Sequence, residues 1–183
     1  MAFWRRKDEN VNSVDSGNTG FESAKNFEQP VVPEYPTPIT MQRIQQVFVN
    51  NDWVYDLIDE NTIQTGFDGY LFRVKLDVES EYVHIAGYNK EVLSDKLFDI
   101  VSGHIQEWHR TKLFPKAYLM NADEEEGMQL VTEHSGSYRT TGATDEQLKV
   151  LFNCAIPTAL SFFRELQQQI TLEQEFNEGD LEE

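Results

Sequence analysis

The segment Glu107–Tyr118, E-W-H-R-T-K-L-F-P-K-A-Y, constrains the fold more than any other stretch of the chain. An amphipathic helix ends there on an aromatic, and Pro115 turns the backbone directly into a strand. Proline cannot donate a helix bond, and it forces the preceding Phe114 into extended conformation. A second marker is T-D-E-Q-L, Thr144–Leu148. The Thr144 hydroxyl can accept from the Gln147 N–H while the Gln147 side chain reaches back, the reciprocal geometry of a helix start. Together the two segments fix an order of elements, and neither carries chemistry.

Around them the periodicity alternates between helix and strand. The folded domain is expected to open at Pro38, with Met41, Ile44, Val47 and Phe48 on one face of a helix over Thr40–Asn51, capped by Thr37 or Thr40. Four strands follow: Trp53–Ile58, Thr62–Phe67, Tyr70–Val78 and Tyr82–Tyr88. Asp68-Gly69 is a tight hairpin signal, because both positions tolerate positive φ. Along the third strand Tyr70, Phe72, Val74, Leu76 and Val78 alternate with Leu71, Arg73, Lys75 and Asp77, which predicts one core-facing and one wetter side. A helix over Ser94–Lys112 carries Leu97, Val101, Ile105 and Trp108 on one stripe, widened by Ile100. Strands over Lys116–Asn121 and Met128–His134 flank an acidic tip, Asp123–Glu126, and Ser135–Ala143 reads as loop. The last helix places Leu148, Leu151, Phe152, Ala155, Ala159, Phe162, Phe163 and Leu166 on one wide face, with a kink expected at Pro157. The predicted architecture is α+β, in the order α-β-β-β-β-α-β-β-α. It is an antiparallel meander with helices packed mainly on one face.

Residues 1–37 read as a disordered Pro/Ser/Asn-rich tail, 38–170 as the domain, and 171–183 as an acidic tail that frays. Within the first tail, Met1–Arg6 (M-A-F-W-R-R) is an amphipathic, cationic peptide that could dock on a partner or a membrane surface. Twelve Phe, seven Tyr and three Trp in 183 residues suffice for a real core. The formal charge of −17 argues against nucleic acid, whose phosphates require clustered Lys and Arg, and against an anionic membrane surface. No apolar run reaches the roughly 18 residues of a membrane span, and Met1–Lys7 is followed by polar residues rather than a signal-peptide core, so a cytoplasmic protein is expected. Cys154 cannot form an internal disulfide, and its apolar surroundings predict a buried, inert thiol.

No residue nominates itself for catalysis, for a cofactor or for a metal. His84, His104, His109 and His134 include no pair at helical ligand spacing, and His104, one turn before Trp108, is explained by packing. Gly66, Gly69, Gly87 and Gly103 belong to no phosphate-cradling pattern. Asp123–Glu126 is a continuous acidic run rather than the spaced oxygen ligands of a calcium loop.

Six segments carry a resemblance: P-I-T-M-Q-R-I at Pro38–Ile44, N-D-W-V-Y at Asn51–Tyr55, G-F-D-G-Y-L-F at Gly66–Phe72, I-Q-E-W-H at Ile105–His109, L-F-P-K-A-Y at Leu113–Tyr118 and T-D-E-Q-L at Thr144–Leu148. Through them the chain resembles the bacterial YbjN family, described as sensory-transduction regulators, and its element order is similar to that of type III secretion chaperones. The family typically has Asn where this chain has His109. The resemblance implies a regulatory or chaperone-like protein, and it supplies no catalytic residue to carry over.

A protein-interaction module is therefore expected, binding another protein or a second copy. Strands that mix polar with aromatic residues suit pairing with another chain, which nominates Phe72, Tyr82 and Tyr88 as contact residues; core positions for all three are the competing expectation. The rival reading is an enzyme or small-ligand binder with its pocket between the sheet and the second helix.

Overall fold

Asp68 and Gly69 take φ of 50° and 81°, the mirror-image turn that matches the twist of two antiparallel strands. They join β2 (Thr62–Phe67) to β3 (Tyr70–Asp77), with Phe67 paired to Tyr70. The computed structural model describes residues 35–80, 82–122, 127–138 and 141–179. Expectations for residues 1–34, the Met1–Arg6 peptide among them, and for the acidic tip Asp123–Glu126 lie outside these residues.

The remaining elements are α1 (Met41–Asn50), β1 (Tyr55–Asp59), β4 (Tyr82–Tyr88), a short 3-10 turn (Asp95–Leu97), α2 (Phe98–Thr111), β5 (Lys116–Asn121), β6 (Met128–Ser137) and α3 (Asp145–Gly179). The strands form one antiparallel six-stranded sheet in the order β1-β2-β3-β4-β6-β5. The meander thus runs from β1 to β4, and β6 inserts between β4 and β5.

Several strand and helix limits differ from the sequence reading. β1 begins at Tyr55 rather than Trp53, and Trp53 instead packs edge-on against Phe48 and Phe67. β6 continues to Ser137, because Tyr82, Val83 and His84 supply ladder partners for Ser137, Gly136 and Ser135. Helix α3 continues to Gly179, past the Ile170 limit of the sequence reading, although Ile170 is the last of its described side chains to be buried.

All three helices bury their apolar faces against the same side of the sheet. Ile44 and Phe48 of α1, Val101 and Trp108 of α2, and Phe152, Phe162 and Phe163 of α3 share one core with Ile63, Phe72, Val74, Val83, Ile85 and Leu130. A fully buried side chain of this size contributes about 1.5–3 kcal/mol. Caps hold the helix starts where the sequence places them. Thr40 accepts from the Arg43 N–H at 3.2 Å, and Thr144 and Gln147 make the reciprocal pair at 3.1 and 2.9 Å.

Arg43 closes the fold on itself. Its guanidinium donates to the carbonyls of Thr37 (2.8 Å), Pro38 (3.0 Å) and Ala143 (2.8 Å) and to the Asp145 carboxylate (2.6 Å). Thr37 and Ala143 also exchange both backbone hydrogen bonds, and Gly142, at φ 72°, leaves the room their approach requires. Thr37, assigned to the tail by sequence, is thereby tied to the start of α3.

Candidate interaction surface

The alternation that sends Tyr70, Phe72, Val74 and Leu76 into the core sends Leu71, Arg73, Lys75 and Asp77 to the face that carries no helix. Pairing register extends this into rows that cross the sheet. One row is apolar: Leu71 opposite Tyr88, Tyr88 opposite Val131, and Val131 opposite Tyr118. Its neighbour is charged: Arg73 opposite Ala86, Ala86 opposite Glu133, and Glu133 opposite Lys116. Val131 is only 1% exposed although no helix lies over it, because Tyr88 and Tyr118 stand on either side. The two rows also touch. The Arg73 guanidinium lies 5.5 Å from the Tyr88 ring centre, and the Lys116 ammonium lies 5.5 Å from that of Tyr118.

Between the rows is an open depression of about 460 Å³, bounded by Arg73, Lys75, His84, Tyr88, Tyr118 and Glu133, with Ile58 and Asp59 at its β1 end. A second, of about 480 Å³, shares Arg73 and Tyr88 and reaches Lys90, Met120 and Gln129.

Glu133 anchors the centre of this face. Its carboxylate accepts from Ser135 Oγ at 2.9 Å and meets His84 Nδ1 at 3.2 Å. Partial burial pushes the Glu133 carboxyl up. Hydrogen bonds from Ser135 and His84, with the charges of His84 and Lys116, outweigh burial and hold it below the usual carboxylate range. Burial, followed by the Glu133 charge, pushes the Tyr118 phenol up.

Ser135, His84 and Glu133 have the composition of a catalytic triad but not its geometry. A hydrolytic triad places the hydroxyl on one imidazole nitrogen and the carboxylate on the other, so that the ring can take the hydroxyl proton. Here Ser135 Oγ (3.2 Å) and Glu133 Oε1 (3.2 Å) both crowd Nδ1, and the serine donates to the carboxylate. The arrangement orients side chains and supplies no activated nucleophile. Sequence spacing gives no hint of it, since the three residues meet only through the β4–β6 register.

The three residues nominated as contacts do not share a face. Tyr82 is 40% exposed on the open side and stacks on His84, with ring centres 5.7 Å apart. Tyr88 is half-buried on the same side. Phe72 takes the competing core position: it is 1% exposed, pairs with Gly87 on the opposite face and packs edge-on against Phe67. Tyr118, Arg73 and Lys116 lie on the open side with Tyr82 and Tyr88.

The other histidines serve packing and pairing. His104 lies between Trp108 and Phe162 and meets Gln169 at 3.2 Å. His109 Nε2 accepts from the Ala117 N–H at 3.0 Å, tying the end of α2 to β5. His134 is buried against Phe114, with ring centres 4.3 Å apart, and burial pushes its imidazole down. Among the described residues no group of three or more His, Cys, Asp or Glu is placed to hold a metal ion. The Cys154 expectation is also corrected. Its thiol is exposed, because helical periodicity rotates position 154 off the stripe that buries Leu151, Phe152 and Ala155. Between α2 and its neighbours Trp108 fills the space, standing edge-on to Phe162 at 5.2 Å and donating to the Phe114 carbonyl at 3.1 Å. Among the described residues no helix is long and apolar enough to cross a membrane.

The fold has a solved counterpart. The crystal structure of YbjN from E. coli, described as a putative transcription regulator, superposes with a TM-score of 0.60 over 73% of this chain and 96% of that one, at 14% identity. At that identity the likeness is one of fold. No curated protein matches the chain. Residues 40–168 match the YbjN family, described as "putative bacterial sensory transduction regulator", and the chain belongs to that family.

Proposed function

We propose that this protein is a non-enzymatic protein-interaction module, chaperone-like or regulatory, whose binding unit is residues 38–170 and which works in the cytoplasm. The observation that carries this reading is the helix-free side of the sheet. All three helices pack on one side, and the other presents Tyr82, Tyr88, Tyr118, Arg73 and Lys116 across four strands. A sheet face with aromatics and without a covering layer is suited to a second chain. The regulator description of the family and the transcription-regulator description of the E. coli protein fit a signalling role. At a net charge of −17 the chain is suited to act on a protein rather than on DNA directly.

The test is the double variant Tyr82→Lys, Tyr88→Lys. Tyr82 is exposed and Tyr88 half-buried beside Val131, so far-UV circular dichroism should stay unchanged and the melting temperature should fall only modestly. Concentration-dependent size-exclusion mass, or co-purification with a partner from the native cell, should fall. A variant that stays folded with both readouts unchanged refutes the open face as the interaction surface.

A further inference from the structure

Cations are scarce in this chain, 15 Lys and Arg against 32 Asp and Glu, and their distribution is uneven. Away from the open face Arg43, Arg110, Lys112, Lys149 and Arg164 each pair with a carboxylate; Lys96 does not. On the open face and its rim, Arg73, Lys75, Lys90 and Lys116 have no carboxylate within 4.0 Å among the described residues. Three of the four lie against rings instead, Arg73 on Tyr88, Lys90 on Tyr70 at 4.8 Å and Lys116 on Tyr118, and Arg73 also donates to Gln64 Oε1 at 3.4 Å. Asp56, Asp59, Asp77 and Glu133 share the face, but Glu133 is already engaged by Ser135 and His84 with the Lys116 charge close by, and Asp77 accepts from the backbone N–H groups of Glu79 and Ser80. In a chain with twice as many acids as bases, a face whose Arg and Lys side chains make no ion pair within 4.0 Å among the described residues can take carboxylates from elsewhere.

The rows specify the shape of what brings them. Arg73 to Lys116 spans β3, β4, β6 and β5, three strand spacings or about 14 Å. The apolar row from Leu71 to Tyr118 runs beside it, two residues along each strand or about 7 Å away. An extended peptide pairs at a sheet edge, along the strands. Two parallel stripes that cross the strands instead match one face of a helix, and 14 Å corresponds to about nine residues. Resting on the interaction-module reading, we propose that the open face binds an acidic amphipathic helix of a partner protein, about three turns long. Its apolar stripe lies on Tyr88, Val131 and Tyr118, and its carboxylates lie over Arg73, Lys75 and Lys116.

The experiment titrates the isotope-labelled full chain with three synthetic helices of about four turns that share a leucine stripe and differ only in the flanking stripe: Glu, Gln or Lys. The Glu helix should shift the amide resonances of Ala86, Tyr88, Val131 and Tyr118. Its affinity should fall about tenfold in Arg73→Gln, Lys75→Gln, Lys116→Gln, and by a similar factor between about 50 and 300 mM salt. The Gln helix should bind more weakly and the Lys helix least. Circular dichroism of the triple variant confirms that its fold survives.

Failure of the Glu helix to bind, equal binding of the Lys helix, or shifts confined to other surfaces would overturn the proposal. If the Tyr82→Lys, Tyr88→Lys variant loses self-association while the Gln triple variant keeps it, the interaction face stands and its acidic helical partner falls. If the Glu helix binds elsewhere and the tyrosine variant changes nothing, both readings fall.

Discussion

Replacing Trp108 with alanine tests how α2 is held to the rest of the core. The side chain is 4% exposed, stands edge-on to Phe162 at 5.2 Å and donates its indole N–H to the Phe114 carbonyl at 3.1 Å. A buried indole removes about 200 Å² from water, worth roughly 5 kcal/mol at 25 cal/mol per Å² as an upper bound. Core aromatics truncated to alanine lose about 3–5 kcal/mol, so a loss near 4 is expected. The Lys112 ammonium 4.6 Å from the ring is exposed on its other side and adds at most about 1 kcal/mol. Trp108→Phe separates the contributions. It keeps a ring against Phe162 but leaves the Phe114 carbonyl without its donor, which should cost about 1–2 kcal/mol. Urea unfolding followed by far-UV circular dichroism is the appropriate assay, because Trp4, Trp53 and Trp108 all fluoresce. A loss below about 1 kcal/mol for the alanine variant, with an unchanged denaturant slope, would refute the reasoning. The ring would then be a surface residue in solution.

Three further perturbations probe other parts of the fold. Gly87→Ala should destabilise by about 1–3 kcal/mol in urea, because a Cβ there would lie 2.7 Å from Thr132 Oγ1 and 2.9 Å from Phe72 Cε1; a neutral change would mean that the sheet yields at this point. Arg43→Met keeps the aliphatic stem but removes donors to three carbonyls and to Asp145, so a loss of about 2–4 kcal/mol is expected in the same melts, and proteolysis near residue 37 should accelerate. For Glu133 the folded carboxyl titrates below its unfolded value. Its stabilisation is therefore present above the unfolded range near pH 4.3 and is lost as pH falls through the lower, folded value. Glu133→Gln should be less stable than the parent at pH 7, and the gap should close as the pH falls below the ordinary carboxylate range; a gap that widens on acidification would contradict the sign.

The parts of the fold legible in the sequence are those set by local physics. Asp68-Gly69 fixed a hairpin because few residue pairs accept two positive φ values, and β2, β4 and β5 have the limits their alternation and turn residues predict. Thr144 with Gln147 located the start of α3, and period 3.6 identified its buried face. What local pattern cannot supply is which strand pairs with which. The insertion of β6 between β4 and β5, and with it the meeting of His84, Glu133 and Ser135, depends on register between segments 49 residues apart. The core position of Phe72, one of two expectations, was legible. It alternates with Arg73 and Lys75 along one strand, and period two alone puts it on the face away from them. Cys154 is the same lesson on a helix, where an apolar neighbourhood in sequence covers both faces. Arg43 carried no signal at all, since three of its acceptors are backbone carbonyls at positions 37, 38 and 143 and the fourth, the Asp145 carboxylate, lies 102 residues away.

The strand order has a consequence for biosynthesis. As the chain emerges, β1 to β4 can pair with their immediate neighbours, but the outer backbone groups of β4 have no partner until Met128–Ser137 has left the ribosome. The strand that completes the sheet's interior is the last one made, some forty residues after β4 ends. At roughly 5–20 residues per second the bare edge persists for seconds, long compared with hairpin formation. A nascent or prematurely terminated chain that stops before residue 128 therefore presents Tyr82–Tyr88 as an unprotected edge, open to pairing with a neighbouring polypeptide.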